Sequence, residues 1–175
     1  MIHSPGSFQI TLKLFLCDLE SQIEQSSTNS GNFINPAEIA SLLVLKDRGT
    51  GQGDLPGGRL NHDEIYEPFE LSLAREVKEE LGDVSCEIYP DPIFIFPHFV
   101  EKDQADALGV AYIGRFLRGG IQLSEEHTQY SWRPLEALVP ESMFVHTMLA
   151  AVQRFHGQRQ LFLDRLKSGQ MITLP

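Results

Sequence analysis

The sequence predicts an α/β protein whose helices pack on a mixed β-sheet. Apolar residues alternate with period two near the N-terminus and recur in several later short runs. Two segments carry apolar residues at helical spacing, and the order is strands, helix, strands, helix, not the regular alternation of a wholly parallel sheet. A length of 175 residues fits one domain spanning 1–175, and a 42% hydrophobic content is enough to build a core.

In Gln9–Cys17, Ile10, Leu12, Leu14 and Leu16 alternate with Gln9, Thr11, Lys13 and Phe15, which predicts a half-buried strand. Residues 20–38 are polar and rich in Ser, Asn and Gly, as in a long loop. Ser41–Lys46 reads as a short strand, followed by a glycine-rich turn (DRGTGQGD) and the segment LPGG. A helix is predicted over Glu67–Leu81. Pro68 stands at its start, Glu67 and Glu70 at its positive end, Gly82 at its stop, and Leu73, Ala74, Val77 and Leu81 form its apolar stripe. Residues 92–100 and 108–117 read as strands separated by a turn, and 131–138 as a strand running into a turn. A second helix is predicted over 142–156, stopped by Gly157, with a short third helix in QLFLDRLKSG.

The net charge of −10 argues against a nucleic-acid polymer or an anionic membrane as partner, since both require a basic face. An acidic protein can still act on an anionic substrate when a cation mediates the contact. Cys17 and Cys86 form no CxxC pair, which fits a reducing compartment. No apolar run approaches the length of a membrane span, and the N-terminal segment lacks a basic start and a cleavage site. The expected location is therefore the cytoplasm.

Glu76, Glu79 and Glu80 fall within one arc of roughly 100° on the first helix. Like charges one turn apart cost a few tenths of a kcal/mol per pair. Lys78 points away, leaving Arg75 as the nearby cation. Three carboxylates on one rigid face behind a Gly-Gly pair suit a hard divalent cation such as Mg²⁺, which takes oxygen ligands and keeps positions open for phosphate oxygens and water. Helix composition alone favours a solvated charged face, and it is the spacing of the residues that turns the reading toward a cation site.

Glu67, seven residues, then Arg75, Glu76, Val77, Lys78, Glu79, Glu80, Leu81 and Gly82, preceded by LPGG, resembles the signature of the Nudix hydrolases (MutT-like). The sequence departs from that pattern in three places. The loop after Gly58 is three residues longer, Asp83 takes a usually apolar position, and Asp54 replaces the aromatic often found before LPGG. Both Glu64 and Glu67 can fill the first acidic position. Glu64 has the right distance from Gly58, while Glu67 keeps the spacing to Arg75 and is the preferred reading. Residues 123–138 are similar to a later strand of the family, with Glu126 six positions before Trp132.

The resemblance implies a Nudix α/β/α sandwich and cleavage of a pyrophosphate linkage in a nucleoside diphosphate derivative by attack of water at phosphorus. It implies Mg²⁺ as cofactor, with Mn²⁺ a substitute, held by Glu76, Glu79, Glu80, Glu126 and the carbonyl of Gly57. Glu79 and Glu126 are the alternative general bases, with Glu125 and Glu101 able to replace Glu126. Arg75 would orient the cluster by pairing with Glu79 or Glu67. The partner would be a small nucleotide, and the chain is compatible with a homodimer. The rival function is a catalytically silent nucleotide-binding module, which is expected to lose acids from the signature; this chain keeps all three. His62, His98, His127 and His146 show no metal-ligand spacing, His146 is expected to pack on its helix, Arg59 to be a solvated loop residue, and Trp132 to sit in the core.

Overall fold

The computed structural model describes residues 6–19, 40–100 and 103–174. The predicted loop at 20–38 lies outside them.

The elements are β1 (Gln9–Asp18), β2 (Ser41–Asp47), β3 (Gly53–Asp54), α1 (Phe69–Leu81), β4 (Ser85–Ile88), β5 (Phe94–Val100), β6 (Ala105–Arg118), β7 (His127–Pro134), α2 (His146–Gly157), α3 (Arg159–Lys167) and β8 (Ile172–Thr173). Short 3₁₀ turns connect them at His62–Tyr66, Leu135–Ala137 and Pro140–Ser142. The strands join in the order β3-β2-β1-β6-β4-β8, with β5 added to β6 and β7 to β2. The β1–β6 pair is parallel, from Gln9 opposite Ala107 to Cys17 opposite Arg115. The other pairs are antiparallel, so the sheet is mixed as expected.

Two apolar layers cover the sheet. On one face Leu12, Leu14 and Leu16 meet Leu73, Val77 and Leu81 of α1. On the other, Phe15 and Cys17 meet Val152 and Phe155 of α2 and Phe162 and Leu166 of α3. Phe15 stacks on Phe155 with ring centroids 4.3 Å apart. This sandwich corrects one expectation. Period two predicted a half-buried β1, yet the strand is buried on both faces because it lies at the centre of the sheet between two helical layers. Lys13, read as outward-facing, is only 5% exposed.

Helix α1 begins at Phe69 with Pro68 as its cap, and Gly82 ends it at φ 75°. Helix α2 begins at His146, four residues later than predicted, and α3 follows almost directly. The short strands β4 and β8 carry too few residues for a period to show. Trp132, expected in the core, is half-buried and packs against its edge, with Phe116 at 5.3 Å.

A fork in the sheet creates the site. β1 pairs with β2 only at Cys17–Leu42 and Asp18–Ser41, after which the two strands part. Residues 56–60 run through the gap: Leu12 N–H donates to Gly58 O (2.8 Å), Leu14 N–H to Pro56 O (2.8 Å) and Leu60 N–H to Ile10 O (2.9 Å). The LPGG segment is thus fixed as a short strand-like graft against β1, facing α1.

Candidate active site

Gly57 and Gly58 are required by geometry. Gly57 has φ +118°, and a Cβ there would lie 2.3 Å from the Leu12 carbonyl oxygen. A Cβ on Gly58 would meet the Glu76 carboxylate at 2.5 Å. The first glycine lets the chain hug β1, and the second lets a helix carboxylate approach the backbone.

Helix α1 supplies the acids. Glu80 is buried, and its Oε2 accepts the Gly57 N–H at 2.8 Å, tying the helix to the graft. Burial pushes its carboxyl up to about 8, against the pull of Lys13 and the Gly57 N–H, while Asp54 and Glu76 repel the charged form. Glu76 is raised too, chiefly by burial. Glu79 differs: its side chain is 59% exposed and is paired with Arg75 at 3.1 Å. The three glutamates share an arc as predicted, but only Glu76 and Glu80 line the adjacent cavity.

Arg75 organises the cluster. Its Nε donates to Glu64 Oε1 (2.7 Å) and its Nη2 to Glu64 Oε2 (3.0 Å), a two-pronged pair. Nη1 reaches Glu76 (2.9 Å) and Glu79 (3.1 Å), and Nη2 also donates to the Arg59 carbonyl (3.3 Å). Of the two partners expected for Arg75, Glu79 is paired with it, while Glu64 stands in place of Glu67, which is exposed at the end of the 3₁₀ turn. The three extra residues of the loop fall after the acid, between Glu64 and α1, and Glu64 keeps its distance from Gly58. Replacing Arg75 with Ala strands Glu64 and releases Glu76 and Glu79. The expected cost is about 1–3 kcal/mol, read as a lower urea midpoint.

The cavity beside these groups has a volume of about 700 Å³. Glu126 lies on its wall, just before β7, with its backbone held by Arg48 N–H (2.9 Å) and Ser124 Oγ (3.3 Å). Glu125 is exposed, and its carbonyl accepts from Arg48 Nε. Glu101 lies outside the described residues. The Gly57 carbonyl also borders the cavity, but it already accepts from Lys13 Nζ at 2.9 Å. Arg59 pairs with the Asp103 carboxylate and is not simply solvated.

Sequence reasoning missed four contributors. Lys13 reaches the graft from β1. Asp54, the departure before LPGG, pairs with it at 2.8 Å. His127 is buried with Nε2 4.0 Å from Glu80, and its Nδ1 has no hydrogen-bond partner among the described residues. Burial lowers its pKa, which favours the neutral imidazole. His98, pushed down to about 4 by burial and by Lys13, faces the cavity from β5. His146 was expected to pack on its helix. It is exposed at the start of α2 with φ 48°, on the cavity rim.

Glu76, Glu80 and Glu126 bring carboxylate oxygens to this cavity, which suits a hard cation, and Glu80 is a buried carboxyl whose proton a metal would displace. Among the described residues, however, no three acidic, histidine or cysteine side chains already converge on one point. A divalent ion bound here would compete with Arg75 for Glu76 and Glu79.

No protein-family model and no curated relative matches the chain. Solved structures do. The MutT protein of Methanosarcina mazei Go1 superposes with a TM-score of 0.63 at 19% identity, over 90% of this chain and 99% of that one. A Caenorhabditis elegans Ap4A hydrolase gives 0.63 at 16% identity, over 89% and 98%. The Nudix domain of Shewanella oneidensis NrtR, solved with ADP-ribose, gives 0.58 at 13% identity, over 89% and 90%. These likenesses establish the fold, the Nudix α/β/α sandwich.

Proposed function

We propose that this chain, as one domain over residues 1–175, is a Mg²⁺-dependent pyrophosphohydrolase acting on a small nucleoside diphosphate derivative. The observation that carries the reading is the Glu80–Gly57 hydrogen bond. It joins the acidic helix to the LPGG graft at the edge of a cavity that also holds Glu76 and Glu126.

Glu76, Glu80 and Glu126 would hold the ion, with Glu79 joining when it leaves Arg75. Bound there, Mg²⁺ (or Mn²⁺) would neutralise phosphate charge and make a water easier to deprotonate. A water oxygen bonds to phosphorus, the bridging P–O bond breaks, and its electron pair stays on the departing phosphate. The water proton passes to a carboxylate. Glu126 is the better-placed base because it stands on the cavity wall, whereas Glu79 does not line the cavity and is tied to Arg75. Arg75 acts as a positioning residue. His127, His98, Val145 and Met148 also line the cavity. Cleavage of Ap4A and binding of ADP-ribose by proteins of this fold support the nucleotide class.

The test is incubation with Mg²⁺ and a panel of nucleoside triphosphates, dinucleoside polyphosphates and nucleoside diphosphate sugars, with phosphate-containing products separated by ion exchange. Metal-dependent cleavage of at least one member is expected. Tight binding of a nucleotide without cleavage would make the chain a silent binding module and overturn the proposal.

A further inference from the structure

The Lys13 ammonium is held in a cage made only of oxygens. Nζ donates to Asp54 Oδ2 (2.9 Å), to the Leu55 carbonyl (3.1 Å) and to the Gly57 carbonyl (2.9 Å). An ammonium has three N–H donors, so all are committed. The side chain is 5% exposed in the middle of a strand buried on both faces, where an unpaired charge would be costly. Asp54 and the Gly57 carbonyl are the kind of ligands a hard cation takes, and they border the same cavity as Glu76 and Glu80. Their N–O distances of 2.8–3.1 Å exceed the ≈2.0–2.1 Å that Mg²⁺ requires, as expected of an ammonium in place of a metal.

We infer that Lys13 is a resident cation of this site, occupying oxygens that would otherwise bind a divalent ion, so that the chain takes one divalent ion fewer than its oxygen ligands allow. The inference deepens the hydrolase reading without depending on turnover. Asp54 supplies the one carboxylate of the cage, and the two backbone carbonyls complete it.

The experiment titrates Mn²⁺ into the full chain, counts bound ions from the loss of the free-ion EPR signal, and follows thermal melting in EDTA and in Mn²⁺. Wild type, Lys13→Met and the double variant Lys13→Met/Asp54→Asn are compared. Lys13→Met should bind one more Mn²⁺ per chain than wild type and gain more in melting temperature from Mn²⁺. The double variant should lose that extra ion or bind it at least tenfold more weakly. Equal stoichiometry and equal melting shifts in wild type and Lys13→Met would overturn the inference. If Lys13→Met folds only with Mn²⁺, the inference is supported. If it folds in neither condition, Lys13→Gln carries the same comparison, and wild-type stoichiometry there overturns the inference. A wild type that binds no Mn²⁺ and cleaves nothing defeats the hydrolase reading alone, since the gain on replacing Lys13 is still read.

Discussion

Replacing Glu80 with Gln is expected to reduce turnover at least about 100-fold, and about 1,000-fold if its carboxylate carries most of the charge on the ion, with the fold intact. Glu80 sits where the cavity, the helix and the graft meet, and its Oε1 lies 4.0 Å from His127 Nε2. A Gln can still accept the Gly57 N–H through its amide oxygen, so the backbone geometry survives while the negative charge is lost. Glu79→Gln should also abolish turnover if Glu79 joins the ion, but with a smaller change in stability because that side chain is exposed.

The same substitution has a signature that needs no substrate. In EDTA, the folded chain keeps the Glu80 proton up to about pH 8, whereas the unfolded chain releases it near the ordinary 4.5. Between those values the native state binds more protons than the unfolded state, so stability falls as pH rises. Glu80→Gln removes this slope. Its melting temperature should exceed that of wild type by a margin that grows from pH 5 to pH 8. A constant margin would mean that Glu80 is already ionised in the folded chain.

The second large effect is expected at Gly57. An alanine there would place Cβ 2.3 Å from the Leu12 carbonyl oxygen and 3.1 Å from its carbon, both backbone atoms of a central strand. It would also hold a side-chain-bearing residue at φ +118°. Strain and overpacking together should cost roughly 2–5 kcal/mol, measured as a fall in the urea midpoint with an unchanged slope. Any protein that still folds should bind divalent ions poorly, because the Gly57 N–H can no longer meet Glu80. Gly51→Ala is the internal control. It too has positive φ (71°), but a Cβ there meets nothing within 4 Å, so its cost should be only about 1 kcal/mol.

Much of this architecture was legible in the sequence. The spacing from Arg75 to Gly82 identified α1 and its acids, and alternation found β1. The run SLLVLK found β2, and LPGG marked the graft. What escaped detection has physical causes. Lys13 reads as a solvent-facing residue of a half-buried strand. Nothing local shows that a second helical layer will cover that face, or that a carboxylate from a different strand will meet the ammonium there. Asp54 appeared only as a departure from a pattern, because its partner lies forty-one positions away. Glu64 and Glu67 were not separable by counting, since a count along the chain cannot tell on which side of an acid three extra residues fall. The structure decides for Glu64 through its two-pronged pair with Arg75. His127 was passed over because a lone histidine carries no spacing signal, and its closeness to Glu80 arises only when β7 pairs along β2.

The most direct test of the central claim is hydrolysis of the best nucleotide from the panel in H₂¹⁸O with Mg²⁺, with products read by mass spectrometry. One ¹⁸O should appear on a phosphate of one product, dependent on the divalent ion and absent in Glu80→Gln. Label entering a carbon-bound hydroxyl, or phosphate labelling that persists undiminished in Glu80→Gln, would contradict the account.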